Sequence, residues 1–267
     1  TLWDVQSRRQ IDVPDLVRIA RQADVVMLGE VHDNALIHEA QARLIRLVEA
    51  DSLAVEMIPV ELEPDVLAHL SRGGSADEIG RIVDWDARGW PAWAQYRSIF
   101  QSDTVEIVTG AALSRDVAMK IMREGTGAAE IGGTPAEALA SPLPADQQAA
   151  AEAEMVDVHC GHLSAEMAPG MVAVQRARDA SLAAAVLRAR QQGGRLVAVI
   201  AGNGHVRSDR GVPVYLPDDI VVLTIGILEP DPDISSREVF DETHPYDFLW
   251  FQPRAEREDP CARFKKG

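Results

Sequence analysis

The chain has 267 residues and 46% of them are apolar, enough for one large α/β domain, or one domain with an insert, and for a substantial core. Its net charge of −16 and pI of about 4.8 speak for solubility and against nucleic acid or an anionic membrane face as partners. No run of about 18 apolar residues is present to span a membrane, and no signal peptide is evident. The first residue is Thr1 rather than Met, which leaves room for a signal or lipoprotein leader upstream.

In chain order, residues 1–22 read as an irregular lead-in and a first helix with Leu16, Ile19 and Ala20 on its apolar side. Val25-Val26-Met27-Leu28 is a short apolar run, as expected of a buried strand. Gly29-Glu30-Val31-His32 is the corner after it. Asp33 or Asn34 can cap the next helix, in which Ile37, Ala40, Leu44, Leu47 and Val48 recur at helical spacing while Glu39, Arg43 and Arg46 face away. Glu30 and His32 therefore sit where a strand ends and a helix begins, the edge at which open α/β sheets bind ligands. Leu53-Ala54-Val55 reads as a second parallel strand ending at Glu56, so Glu56 repeats the placement of Glu30.

From Pro59 to Phe100, prolines and glycines interrupt short helical pieces. Trp85, Trp90, Trp93, Tyr96 and Phe100 fall within 16 residues there. Such a cluster is either the core of a small helical insert or the lining of a pocket for a flat apolar ligand. Val105, Ile107 and Val108 form a third strand, followed by Arg115 on the next helix or just before it. Ala145 to Val158 reads as a helix and leads into His159-Cys160-Gly161-His162. That is not a zinc-finger spacing, but two imidazoles three residues apart can share a helical face. Cys160 and Cys261 are either free thiols or one bridge from the helical insert to the tail.

A long helix from Met171 to Gln192 precedes the clearest central strand, Arg195 to Ala201. The helix must run antiparallel to that strand, which returns Asp179 to the carboxyl edge. Gly202-Asn203-Gly204-His205 turns sharply after the strand and brings His205 to the same edge. It lacks the third glycine and the acidic partner of a dinucleotide fingerprint. Val212 to Pro217 reads as short and extended, Ile220 to Leu228 as a long strand, and 244–251 as an edge strand. The fold class is α/β: a mainly parallel sheet flanked by helices, with a small all-helical subdomain inserted. Residues 1–58, 101–127 and 166–267 form the core domain, and 59–100 with 128–165 form the insert or lid.

Glu30, His32, Glu56 and His205 are a hard oxygen and nitrogen set that suits Mn, Fe, Co or Zn. A divalent metal there would lower the pKa of bound water toward ~7 for ester or amide hydrolysis. Without metal, Glu30 and His32 would serve as general base and acid, with Asp179 beside them. No nucleophile elbow supports a serine hydrolase.

Three stretches carry a resemblance: Gly29 to Asn34 ahead of a helix, Gly202 to His205, and His159 to His162 leading into the helix with Gln175 and Asp179. Together they resemble the ChaN-like haem-binding uptake proteins of the Tiki/TraB/erythromycin-esterase superfamily, from residue 23 to about 251. The resemblance implies an α/β domain with a small helical domain and haem binding in bacterial iron acquisition. It further implies a homodimer holding haem between its subunits and an outer-membrane haem receptor as partner. Its place would be the periplasm or a membrane-anchored lipoprotein. The family pattern has an Asn and an Arg in the loop after the third strand. Here Ala112 replaces the Asn, and Arg115 either anchors a carboxylate or pairs at the surface. Tyrosine ligates haem in the family, but the pattern singles out none of Tyr96, Tyr215 and Tyr246. His159 and His162 are alternative ligands, so the haem-contact candidates are His159, His162, Tyr96 and Arg115. Related branches are esterases and metal-dependent proteases, which keeps the hydrolase as the alternative.

Overall fold

Four consecutive apolar side chains that point alternately up and down need cover on both faces. In the computed structural model, which describes residues 1–128, 139–230, 244–258 and 261, Val25 to Leu28 have that cover. Among the described residues the eight strands are β1 (Leu2–Asp4), β2 (Arg9–Ile11), β3 (Val25–Glu30), β4 (Ser52–Pro59), β5 (Ile107–Ala112), β6 (Val197–Gly202), β7 (Val222–Leu228) and β8 (Phe248–Phe251). They form one sheet in the order β2-β1-β8-β7-β3-β6-β4-β5. From β8 to β5 every neighbour is parallel, and β1 runs antiparallel to both β2 and β8.

The α-helices among the described residues are α1 (Val13–Ala20), α2 (Ala35–Val48), α3 (Glu63–Leu70), α4 (Ala76–Ile82), α5 (Trp93–Tyr96), α6 (Arg115–Glu124), α7 (Ala145–Val158) and α8 (Ala168–Gln191). Asn34, rather than Asp33, caps α2: its side-chain oxygen accepts from the amides of Leu36 at 3.0 Å and Ile37 at 3.3 Å. Val26 and Leu28 pack with α1, α2 and the 59–100 stretch, where Val66, Ile79, Trp85 and Tyr96 are buried. Val25 and Met27 pack with α8 on the other face. The helix α7 packs on α8, so it and the 59–100 stretch lie over opposite faces of the sheet.

Four expectations change. The lead-in is a short β1–β2 hairpin before α1, and it pairs with β8, so 248–251 is an interior strand rather than an edge. Residues Val212–Tyr215 form a 3-10 turn, because Gly211 and Pro213 break the extended run. Leu47 is 38% exposed, while His38 and Gln41 take the inner face of α2. The two cysteines form a bridge, Cys160 to Cys261, with Cα atoms 5.6 Å apart and 101 residues between them in sequence.

The centre of the carboxyl edge is locked by Asn203. Its amide accepts from the Ile227 N–H at 3.1 Å and donates to the Ile227 carbonyl at 2.8 Å, and its own N–H donates to the Glu30 carbonyl at 3.1 Å. This tie requires a glycine at position 29, since a Cβ there would lie 2.2 Å from Asn203 Oδ1 and 2.8 Å from Val206 Cγ2. Gly29→Ala is therefore expected to lower unfolding free energy by about 1–3 kcal/mol, the usual cost of forcing atoms into a packed site. Denaturant melts check this, and an unchanged midpoint at unchanged slope would overturn it.

Candidate functional site

The register of the parallel strands builds the site. Glu30, the last residue of β3, pairs with Gly202, the last residue of β6. On the other side of β6, β4 shifts register against β5 between Val55 and Pro59. Such irregularities re-aim side chains, and Glu56 lies within this one. Its Oε2 accepts the Gly202 N–H at 2.9 Å. The turn after β6, closed by the His205 N–H on the Gly202 carbonyl at 2.9 Å, brings His205 back over Glu56. The helix α8 supplies Asp179 from above, as its antiparallel course requires.

These residues form one continuous chain of contacts. Glu30 Oε1 accepts from the Tyr96 hydroxyl at 2.6 Å and faces His32 Nδ1 at 2.7 Å. Its Oε2 accepts from Gln41 Nε2 at 3.1 Å and lies 3.7 Å from His38 Nε2. His32 Nε2 is 3.9 Å from Glu56 Oε2, and Glu56 Oε1 is 3.3 Å from His205 Nε2. His205 Nδ1 meets Asp179 Oδ1 at 2.6 Å, with the Gln175 amide nitrogen 3.1 Å from the same ring atom. The Glu30 side chain is fully buried, whereas His32 is 35% exposed and stands 5.0 Å from the Trp90 ring. A cavity of about 30 Å³ adjoins the Asp179 end, lined there by Gln175, Gly204, Met155 and Val172.

Burial alone would raise the carboxyl pKa values. For Glu30 the bonds and charges of His32 and His38 outweigh it, and its pKa falls to about 2. Glu56 is likewise buried but pulled well below the carboxylate range by His205, His32 and the Gly202 N–H. Asp179 is the exception: burial, reinforced by the charge of Glu56, lifts it to about 6. Burial opposes the charged form of His205, but Glu56 and Asp179 prevail and raise it to about 10. His32 is raised in the same way by Glu30 and Glu56 against its burial. The Tyr96 hydroxyl, buried and facing Glu30, is pushed above its usual range and stays a donor.

The structure thus brings Glu30, His32, Glu56, Asp179 and His205 together. It does not make them a metal centre: among the described residues no group of three or more His, Cys, Asp or Glu side chains has that geometry. The reason is their mutual pairing, since His32 Nδ1 is engaged by Glu30 and both His205 nitrogens face carboxylates. Tyr96 is fully buried, and its hydroxyl donates to Glu30. His159 ends α7, His162 is exposed on the loop after it, and Arg115 is exposed at the first position of α6. His38 and Gln41 were not singled out by sequence. With Asn34 they fall at positions i, i+4 and i+7 of α2, a buried polar line within its apolar face that marks a partner beneath.

The sequence model of a family described as haem-binding uptake, Tiki superfamily, ChaN, matches residues 16–216. The fold is similar to that in a structure of cofacial heme binding to ChaN of Campylobacter jejuni, with 18% identity, 93% of this chain and 94% of that chain covered, and a TM-score of 0.68. It is also similar, at a TM-score of 0.48 and 16% identity over 90% and 92% of the two chains, to the type III effector HopBA1. No curated protein matches the chain.

The site makes stability depend on pH with a definite sign. His205 binds its proton more tightly folded than unfolded, so its contribution is complete below pH 6.5 and is lost as pH rises toward about 10. Glu30 is the reverse, complete above pH 4.5 and lost as pH falls toward about 2. Denaturant melts of the wild type and of His205→Gln, taken between about pH 7.5 and about pH 10, should show a steeper loss in the wild type. Parallel slopes would show that His205 is not held protonated.

Proposed function

This chain belongs to the ChaN family of haem-binding uptake proteins in the Tiki superfamily, and on that premise we propose that it binds haem at the end of α7, with His159 as the iron ligand. One observation carries the assignment. His159 Nδ1 lies 2.7 Å from the Met155 carbonyl. A carbonyl can only accept, so Nδ1 carries the proton and the lone pair is on Nε2. Metal-binding histidines are oriented in this way by a second partner. Val158 beside it is 63% exposed, and Met167 at the far end of the loop is 46% exposed. An oriented imidazole on apolar surface fits a flat apolar macrocycle with an iron at its centre. Bound haem would supply that iron as the ligated centre; the chain supplies the imidazole and the apolar support.

His162, three residues on, is the second candidate ligand, and the exposed guanidinium of Arg115 is a partner for a haem carboxylate. Haem held between two copies of the chain is the assembly we favour, in line with the cofacial heme binding of Campylobacter jejuni ChaN. A disulfide suits an oxidising compartment, which supports the periplasm or a tethered envelope protein, with an outer-membrane haem receptor as partner. The alternative, a hydrolase at Glu30, His32, Glu56 and His205, is disfavoured by the mutual pairing of those groups. Glu30, held near pKa 2 and fully buried, is a weak general base.

Titration of the protein with hemin should give a saturable Soret band. His159→Ala should shift the band or weaken affinity at least about tenfold, which is about 1.4 kcal/mol. Tyr96→Phe should leave the band in place. A band that persists unchanged in His159→Ala, or moves only in His162→Ala, would reassign the ligand. A wild type that binds hemin no more specifically than an albumin-like control would sink the haem reading for this chain.

A further inference from the structure

We propose that the Cys160–Cys261 disulfide is a redox latch on the haem-ligand segment, so that its reduction by a dithiol loosens the grip of His159 on haem. The inference rests on the haem reading above and adds its regulation.

The argument begins at the end of α7. The Gly161 N–H donates to the Val156 carbonyl at 2.9 Å and the Cys160 N–H to the Asp157 carbonyl at 2.8 Å. These are the two bonds of a Schellman cap, in which the residue after the C-cap takes the left-handed conformation and is usually glycine. Here that residue is Cys160, with φ of 59°. A side chain at that φ is disfavoured. The sequence therefore places a poor residue at a demanding position, and that same residue carries the bridge to Cys261. His159 is the C-cap itself, and its bond to Met155 lies in the last turn that the cap closes. Whatever holds Cys160 left-handed also holds the imidazole.

The other end of the latch is anchored separately. The tail from Pro253 to Arg257 is fixed at the start of α2, where Asn34 donates to the Pro253 carbonyl at 2.9 Å and Arg257 pairs with Asp33 at 2.8 Å and with Glu229. The bridge thus ties the ligand turn to a well-held segment. Both cysteines are only partly buried, so a reductant can reach them. In the exchange a thiolate of the dithiol attacks one sulfur and forms a mixed disulfide. The second thiolate then closes the reductant's own disulfide, and Cys160 and Cys261 leave as thiols with two electrons and two protons gained. The cap then loses its external hold, the last turn of α7 frays, and Nε2 is no longer oriented.

The test compares hemin affinity in the oxidised wild type, Cys160→Ser/Cys261→Ser and Cys160→Gly/Cys261→Ser, with no thiol present to compete for the iron. If the oriented turn falls to about a tenth of the population, the serine pair should bind hemin about tenfold more weakly. The glycine version restores the left-handed cap without the bridge and should recover affinity to within about threefold of wild type. Amide exchange at residues 159–161, read without haem, should quicken in the serine pair and slow again in the glycine version, with the sheet amides unchanged. Unchanged affinity or unchanged exchange in the serine pair overturns the latch while leaving haem binding intact. Failure of the glycine version to recover overturns the cap as its route. No saturable band in the oxidised wild type overturns the haem reading itself, and the latch with it.

Discussion

Three carboxylates without bulk water must each find a positive partner, and this structure settles that demand at one sheet edge. Glu30, Glu56 and Asp179 are all buried there, and His32 and His205 stand between them. Removing one member of such a set leaves its neighbour charged and unpartnered, typically a cost of about 3–5 kcal/mol. Much of the surrounding backbone serves this arrangement. Gly202 lends its N–H to Glu56, and a Cβ there would sit 3.1 Å from His32 Nε2. The bulge in β4, the tight turn after β6 and the entry of α8 all bring acids to imidazoles.

That self-sufficiency leaves few polar groups at the edge without a partner. A working acid or base needs an open coordination or proton-transfer position toward substrate, and here most such positions are already filled. Of the three network histidines, His32, His38 and His205, only His32 has appreciable exposure. At the end of α7, by contrast, the His159 imidazole faces a backbone carbonyl beside the exposed Val158. The molecule thus has a buried electrostatic keystone at the sheet edge and a partly buried imidazole at the end of α7.

Much of this was legible in sequence because strong patterns are local. Val25 to Leu28 and Leu196 to Ile200 announce buried strands, and parallel topology sends their exits to one edge, which is how Glu30, His32, Glu56 and His205 could be grouped. Asp179 followed from the direction of its helix. The misses are non-local. Arg9-Gln10-Ile11 carries no strand signature and becomes β2 only because β1 is there to pair with it. The place of β8 depends on a partner more than 240 residues away in sequence. Tyr96 lies inside an aromatic cluster with its hydroxyl on Glu30, a long-range placement that the spacing of the aromatics does not show. The pairing of Cys160 with Cys261 needed three-dimensional proximity that no spacing encodes.

The pairing of β1 with β8 also bears on how the chain matures on the ribosome. Synthesis delivers β1 and β2 well before the strand at 248–251 that defines their place in the sheet. An isolated two-stranded hairpin is marginal in water. β1 and β2 therefore wait, and β7 keeps one flank bare, until β8 has been made. Closing so long a loop is slow compared with local helix formation. The nascent protein consequently passes through a stage with an unfilled slot beside β7, where strand-capturing chaperones or a second nascent copy would find a template.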